Sequence, residues 1–116
     1  MNELVKMFND YAIEKGLGPR LFHIEGCGFA TYHIHKDGEC YIEDIYVVKE
    51  KRKDKLASIM ADEISKIAKE NGCRILTGSV NLEINDFEIS QKVLKAYGFK
   101  YAGTLNNVEA YTKELE

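Results

Sequence analysis

Two features of residues 40–64, CYIEDIYVVKEKRKDKLASIMADEI, could do chemistry. One is the adjacent carboxylate pair Glu43 and Asp44, set inside an apolar and aromatic run. Neighbouring strand residues point to opposite faces, so at most one of the two is expected to face a given cleft. The other is the block that follows, where Lys49, Lys51, Arg52, Lys53 and Lys55 outnumber Glu50 and Asp54 just as a helical pattern begins. A strand end, a cluster of positive charge and a helix N-terminus together suit a phosphate-bearing ligand, because unpaired amides and the helix dipole favour anions. The bland reading is a solvated loop, the usual fate of lysine-rich segments. Phosphate loops also carry glycines, which let backbone approach the ligand and adopt positive φ. Here lysine ammonium groups would have to act instead, as point charges. Asp54 stands where it could cap the helix, competing for the amides an anion would use.

The remaining candidates are weaker. His33 and His35 alternate on one strand pattern and, with His23 or Cys40, could form a metal set. Solvated strand histidines are the commoner outcome, and no metal is expected. Cys27, Cys40 and Cys73 are odd in number and lack CxxC spacing, which fits free thiols in a reducing cytoplasm, packed as small hydrophobes.

These residues need elements to position them. Leu4, Met7, Phe8, Tyr11, Ala12 and Ile13 recur at helical spacing over residues 2–15, and Gly16, Gly18 and Pro19 end that helix. RLFHIEG and GFATYHIH read as strands, KDG at 36–38 as a turn, and ECYIEDIYVV as the longest strand. Residues 54–70 place Leu56, Ile59, Met60, Ile64 and Ile67 at three- and four-residue steps before Gly72. CRILTGSV reads as a buried strand, and DFEISQKVLKAYGF as a shorter helix capped by Asp86. KYAGTL and VEAYTKEL close as a hairpin about Asn106 and Asn107. The order predicts one α/β (α+β) domain over residues 1–116, with a mixed, largely antiparallel twisted sheet and flanking helices.

At 116 residues the chain supports a single core, and 45% hydrophobic with 30% charged residues marks it as globular. A net charge of −3 argues against a general nucleic-acid binder. No apolar run is long enough for a membrane span, and the amphipathic, acidic N-terminus is unlike a signal peptide. Membrane and nucleic acid are therefore not expected partners.

The element order and two motifs resemble the GNAT family of acetyl-CoA-dependent N-acetyltransferases. IEDIYVVKEKRKDKLASIM aligns with the family's strand–loop–helix pattern R/Q-x-x-G-x-G/A, with Arg52 first and Ala57 last, and VLKAYGFKYAG matches its helix–GF–strand signature. The match covers roughly residues 20–115, so the usual N-terminal part looks trimmed. The resemblance implies a central strand that splays from its neighbour at a β-bulge. Backbone of Ile45, Tyr46 and Val47 would line the pantetheine arm, and Arg52, Lys53, Asp54, Lys55, Leu56, Ala57 and Ser58 would receive the pyrophosphate. It also implies a base at Glu43 or Asp44, since amide formation from a thioester needs a deprotonated amine and an acid for the departing thiolate. The acceptor would be a small cationic amine or a protein lysine, and a homodimer is compatible with this reading.

Four positions depart from the family pattern. Lys55 replaces the middle glycine, Lys53 follows Arg52 where a glycine is common, Leu94 stands at the common general-acid tyrosine, and Phe87 at an asparagine that holds cofactor. Tyr97 and Asn85 lie close without matching. The departures support a rival reading, a catalytically degenerate fold that binds CoA or a protein without turnover. A third is an interaction domain whose lysine loop meets an acidic partner.

Overall fold

A computed structural model describes residues 3–116, apart from the side chains of Lys53 and Asp54. The elements run α1 (Glu3–Lys15), β1 (Pro19–Ile24), β2 (Gly28–Ile34), β3 (Glu39–Val47), a 3-10 helix (Lys49–Asp54), α2 (Leu56–Glu70), β4 (Ile75–Asn81), α3 (Phe87–Ala96), β5 (Lys100–Leu105) and β6 (Val108–Glu114). The six strands form one sheet in the order β1-β2-β3-β4-β6-β5, parallel only between β3 and β4. That is the mixed, mostly antiparallel sheet with flanking helices expected from the pattern. The β5–β6 hairpin turns on Asn106 and Asn107, both at positive φ, as a tight two-residue turn requires.

The core lies on one face of the sheet. Ala30, Tyr32, Cys40, Ile42, Leu76, Val80 and Tyr111 pack with Met60, Ile64 and Ala68 of α2, whose three- and four-residue steps put these side chains on one stripe. α3 packs on the same face: a methyl added at Gly78 would meet Leu94 at 3.3 Å. Tyr97 joins the two helices, its hydroxyl bonding Asp62 and lying 3.4 Å from the Ser65 hydroxyl. Burial and the Asp62 carboxylate push its phenol up.

α1 meets the sheet differently from its sequence pattern. Of its apolar stripe only Ala12 is buried, while Leu4, Met7, Tyr11 and Ile13 are exposed. Its contact with β1 runs through Asn9, whose amide both donates to the Leu21 carbonyl and accepts from the Leu21 N–H at 2.8 Å. One side chain thus satisfies edge-strand groups that would otherwise be open to another strand.

Three expectations about local geometry are corrected. Asp54 does not occupy the cap position of α2. The segment before that helix first winds into a 3-10 helix, which moves the cap position to Lys55, whose side chain makes no capping bond. Lys55 itself adopts φ 57, so the family's glycine position keeps its left-handed backbone although a lysine occupies it. Asp86 does occupy the cap position of α3, but at φ 61 its side chain forms no capping bond.

Candidate active site

The central feature is a fork between β3 and β4. Parallel pairing runs from Glu39↔Ile75 to Ile42↔Gly78 and stops, although β3 continues to Val47 and β4 to Asn81. Past the fork β4 remains paired with β6, and β3 with β2. There the backbone groups that β3 and β4 turn toward each other have no strand partner and are open to water or a ligand.

A bulge accompanies the fork. Thr31 pairs with Asp44 and Tyr32 with Ile42, so Glu43 is the extra residue in β3. It resets the alternation of the strand. Cys40 and Ile42 face the core before it, and Val47 with partly buried Ile45 after it. The expectation that Glu43 and Asp44 point to opposite faces is overturned for this reason. Both carboxylates reach the same Thr31 hydroxyl, each at 3.5 Å, on the face away from α2 and α3. Glu43 Oε1 also lies 3.4 Å from His33 Nε2.

Three residues here escaped the sequence reading: Tyr41, Ser79 and the partnering role of His33. The Tyr41 and Ser79 hydroxyls meet at 2.7 Å, bridging β3 to β4 beside the last backbone pair. His33 stacks on His35 at 6.2 Å and tilts against Tyr41 at 5.8 Å. Period-two alternation did place His33, His35 and Tyr41 within strands. Only the β2–β3 register shows that they share a face with Glu43.

At its far end β3 leads into the lysine block. Of the three residues expected along the fork, Val47 buries its side chain and its carbonyl accepts from Arg52 Nε at 3.0 Å. Ile45 packs partly on the core, and Tyr46 lies exposed against Phe29. The Arg52 guanidinium sits 5.7 Å over the Tyr46 ring, so Arg52 braces the strand end rather than standing free. Leu56 and Ala57 turn their side chains to the core, which leaves their amides as the groups available to an anion. Ser58 and Lys55 are exposed. Lys55 makes no capping bond, and the first turn of α2 presents the amides and positive end that favour an anion. The side chains of Lys53 and Asp54, both expected near the pyrophosphate, lie outside the described residues.

The donor set fits a pantetheine–pyrophosphate ligand. Extended backbone stands open along β3, and at its end come a helix N-terminus and cations. Leu94, at the position of the family tyrosine, meets the fork from the helix side with an aliphatic chain. Phe87 likewise packs against the core.

The comparisons agree with this geometry. Among solved structures, the PaiA N-acetyltransferase of Thermoplasma acidophilum, in complex with coenzyme A, superposes with a TM-score of 0.76 at 17% identity, covering 94% of this chain and 69% of its own. Ard1 of Thermoplasma volcanium gives 0.72 at 17% identity, covering 96% and 79%. A Bacillus subtilis acetyltransferase in complex with CoA gives 0.66 at 12% identity, covering 96% and 84%. At these identities the likeness is one of fold. No curated protein matches the sequence. No helix among the described residues is long and apolar enough to cross a membrane. Residues 25–99, which hold the bulged strand, the fork, the lysine block and α3, match the profile of the acetyltransferase (GNAT) family, and the chain belongs to that family, whose members bind acetyl-CoA.

Proposed function

We propose that this protein transfers an acetyl group from acetyl-CoA to a cationic amine that approaches the face of the sheet opposite α2 and α3. The observation that carries the reading is the bulge at Glu43, placed one residue past the last β3–β4 pair. That single insertion sets two carboxylates on one face at the mouth of the fork. In this reading the backbone of β3 from Ile45 to Val47 holds the pantetheine arm, and the amides of Leu56, Ala57 and Ser58 hold the pyrophosphate, with Lys55 adding charge.

Acetyl-CoA supplies an activated carbonyl when bound, and the protein's own groups do the rest. Glu43 and Asp44 attract an ammonium acceptor, and one of them takes its proton, assistance worth roughly a hundredfold or more. The Thr31 hydroxyl can donate its one proton to either carboxylate, and His33 steadies Glu43 from the adjacent strand. Exposure of the carboxylates lets the proton pass to water.

The test is calorimetry with acetyl-CoA, followed by thiol release over spermidine, kanamycin and a lysine-bearing peptide. Acetyl-CoA should bind, adenosine should bind much more weakly, and at least one amine should release thiol. Glu43→Gln with Asp44→Asn should slow that amine most at low pH, where more of it is protonated. No heat with saturating acetyl-CoA would sink the assignment. Leu94 favours one second reading: binding without thiol release from any amine would mark a CoA-binding module that has lost turnover.

A further inference from the structure

A thiolate leaving a thioester takes up a proton, and a donor at the fork can supply it. On the helix side the fork is lined by Leu94 and Gly78, neither of which carries a side-chain proton to give. On the opposite face the Tyr41 and Ser79 hydroxyls meet at 2.7 Å, bridging the two strands beside the Ile42↔Gly78 pair. The contact is partly buried and has Tyr41 packed against His33. Either hydroxyl can donate to the other, which gives a two-member chain with one free proton.

We infer that Tyr41 is the general acid of this enzyme and that Ser79 orients and recharges it. The inference rests on the acetyl-transfer reading. As the C–N bond forms and the C–S bond breaks, Tyr41 Oη gives its proton to the sulfur. Glu43 or Asp44 takes the proton the amine loses. Tyr41 then recovers a proton through Ser79 Oγ, which water restores. No co-reactant beyond acetyl-CoA, the amine and water is needed. The donor has in effect changed faces, from the helix carrying Leu94 to the strand carrying the two carboxylates, so acid and base sit two or three residues apart on β3.

The competing account is a strut: the Tyr41–Ser79 contact would only hold β3 and β4 together at the fork. Binding and turnover separate the two. Tyr41→Phe and Ser79→Ala are to be compared with the unaltered chain for melting temperature, for affinity toward CoA and desulfo-CoA, and for kcat and KM with the best amine of the panel. If Tyr41 donates to sulfur, the unaltered chain binds CoA roughly three- to tenfold more tightly than desulfo-CoA, the worth of one hydrogen bond, and Tyr41→Phe abolishes the preference. Its kcat falls about a hundredfold while KM for acetyl-CoA stays within about twofold. Ser79→Ala, which keeps the phenol, loses about tenfold in kcat without loss of CoA affinity. A Tyr41→Phe protein with unchanged kcat overturns the inference, as does one that weakens CoA and desulfo-CoA equally. Should Tyr41→Phe fail to fold, Ser79→Ala decides alone, and full activity there is fatal. An unaltered chain that binds no acetyl-CoA removes the acetyl-transfer reading and this inference with it. One that turns over while Tyr41→Phe does the same removes only the inference.

Discussion

Lys55→Gly separates geometry from charge in the phosphate loop. A non-glycine residue in the left-handed region is strained by about 1–2 kcal/mol, and Lys55 sits there at φ 57. Glycine removes the strain but loosens the unfolded chain, which costs about 0.4–1 kcal/mol. With both quantities near the middle of their ranges, the net gain is about 0.5–1 kcal/mol. For 116 residues, 1 kcal/mol corresponds to about 4 °C, so the melting temperature should rise by about 2–4 °C. CoA affinity should move the other way. The folded backbone already has the conformation that a glycine would permit, so glycine adds no geometry to the bound state. It does remove one exposed cation, worth about 0.2–1 kcal/mol beside a pyrophosphate, or roughly a 1.4- to fivefold loss in affinity. The salt dependence of binding should flatten, because exposed pairs are screened as ionic strength rises. Differential scanning calorimetry of the ligand-free protein and CoA titrations at low and high salt measure both quantities. A lower melting temperature would refute the strain argument. Tighter CoA binding would show that backbone geometry, not lysine charge, governs the site.

Other outcomes follow from packing and protonation. A methyl added at Gly28 would lie 2.1 Å from the Tyr46 carbonyl oxygen, so Gly28→Ala should cost about 3 kcal/mol or more, read as a lower denaturant midpoint; a loss under about 1 kcal/mol would mean that β2 and β3 can part freely. Burial, with Cys73 beside it, pushes the Cys40 thiol from 9.0 up to about 12, and burial with the Glu109 hydrogen bond pushes the Tyr111 phenol from 10.0 up to about 12. Both folded values exceed the unfolded ones, so this stability is complete below about pH 9 and is lost as pH rises toward 12. Denaturant midpoints should be flat from pH 7 to 9 and then fall, less steeply in Cys40→Ala; a flat profile to pH 12 would contradict the burial. Leu94→Tyr should overpack the site against Gly78 at a cost of about 1–3 kcal/mol, yet restore part of the kcat lost in Tyr41→Phe; a double variant no faster than Tyr41→Phe would show that a phenol there does not reach the fork.

Where one rule governs a segment, sequence and structure agree. α2 follows the four-residue steps of Met60, Ile64 and Ala68, and the last hairpin turns on two asparagines able to take positive φ. Where two rules compete, local reading fails. Asp54 has the right chemistry for a cap, but KEKRKD winds into a 3-10 helix first, and the cap passes to a lysine whose side chain cannot do the work. The stripe of α1 is helical in period yet largely unburied: Ala12 alone of the stripe is buried, and Asn9 ties the helix to the β1 backbone.

The carboxylate pair is the instructive failure, because its signal was present in the sequence. Cys40 and Ile42 are core-facing on even numbers, and Ile45 and Val47 on odd ones. An uninterrupted strand cannot bury both sets on one face, since its side chains alternate with a period of two. One residue must be extra between Ile42 and Ile45, and the only residues there are Glu43 and Asp44. The shift in apolar parity thus implies a bulge at the acids, and a bulge at the acids brings them to one side. The same extra residue lies next to the last β3–β4 pair, where β3 leaves its parallel neighbour. Opening of the sheet and convergence of the two acids therefore have a common location in the sequence, one insertion wide. Deleting Glu43 should accordingly do more than remove a carboxylate. It should return β3 to strict alternation, drive Asp44 or Ile45 to the wrong face, and abolish CoA binding, whereas Glu43→Gln should leave binding intact. If the deletion variant folds and binds CoA as well as Glu43→Gln, the bulge has no part in building the site.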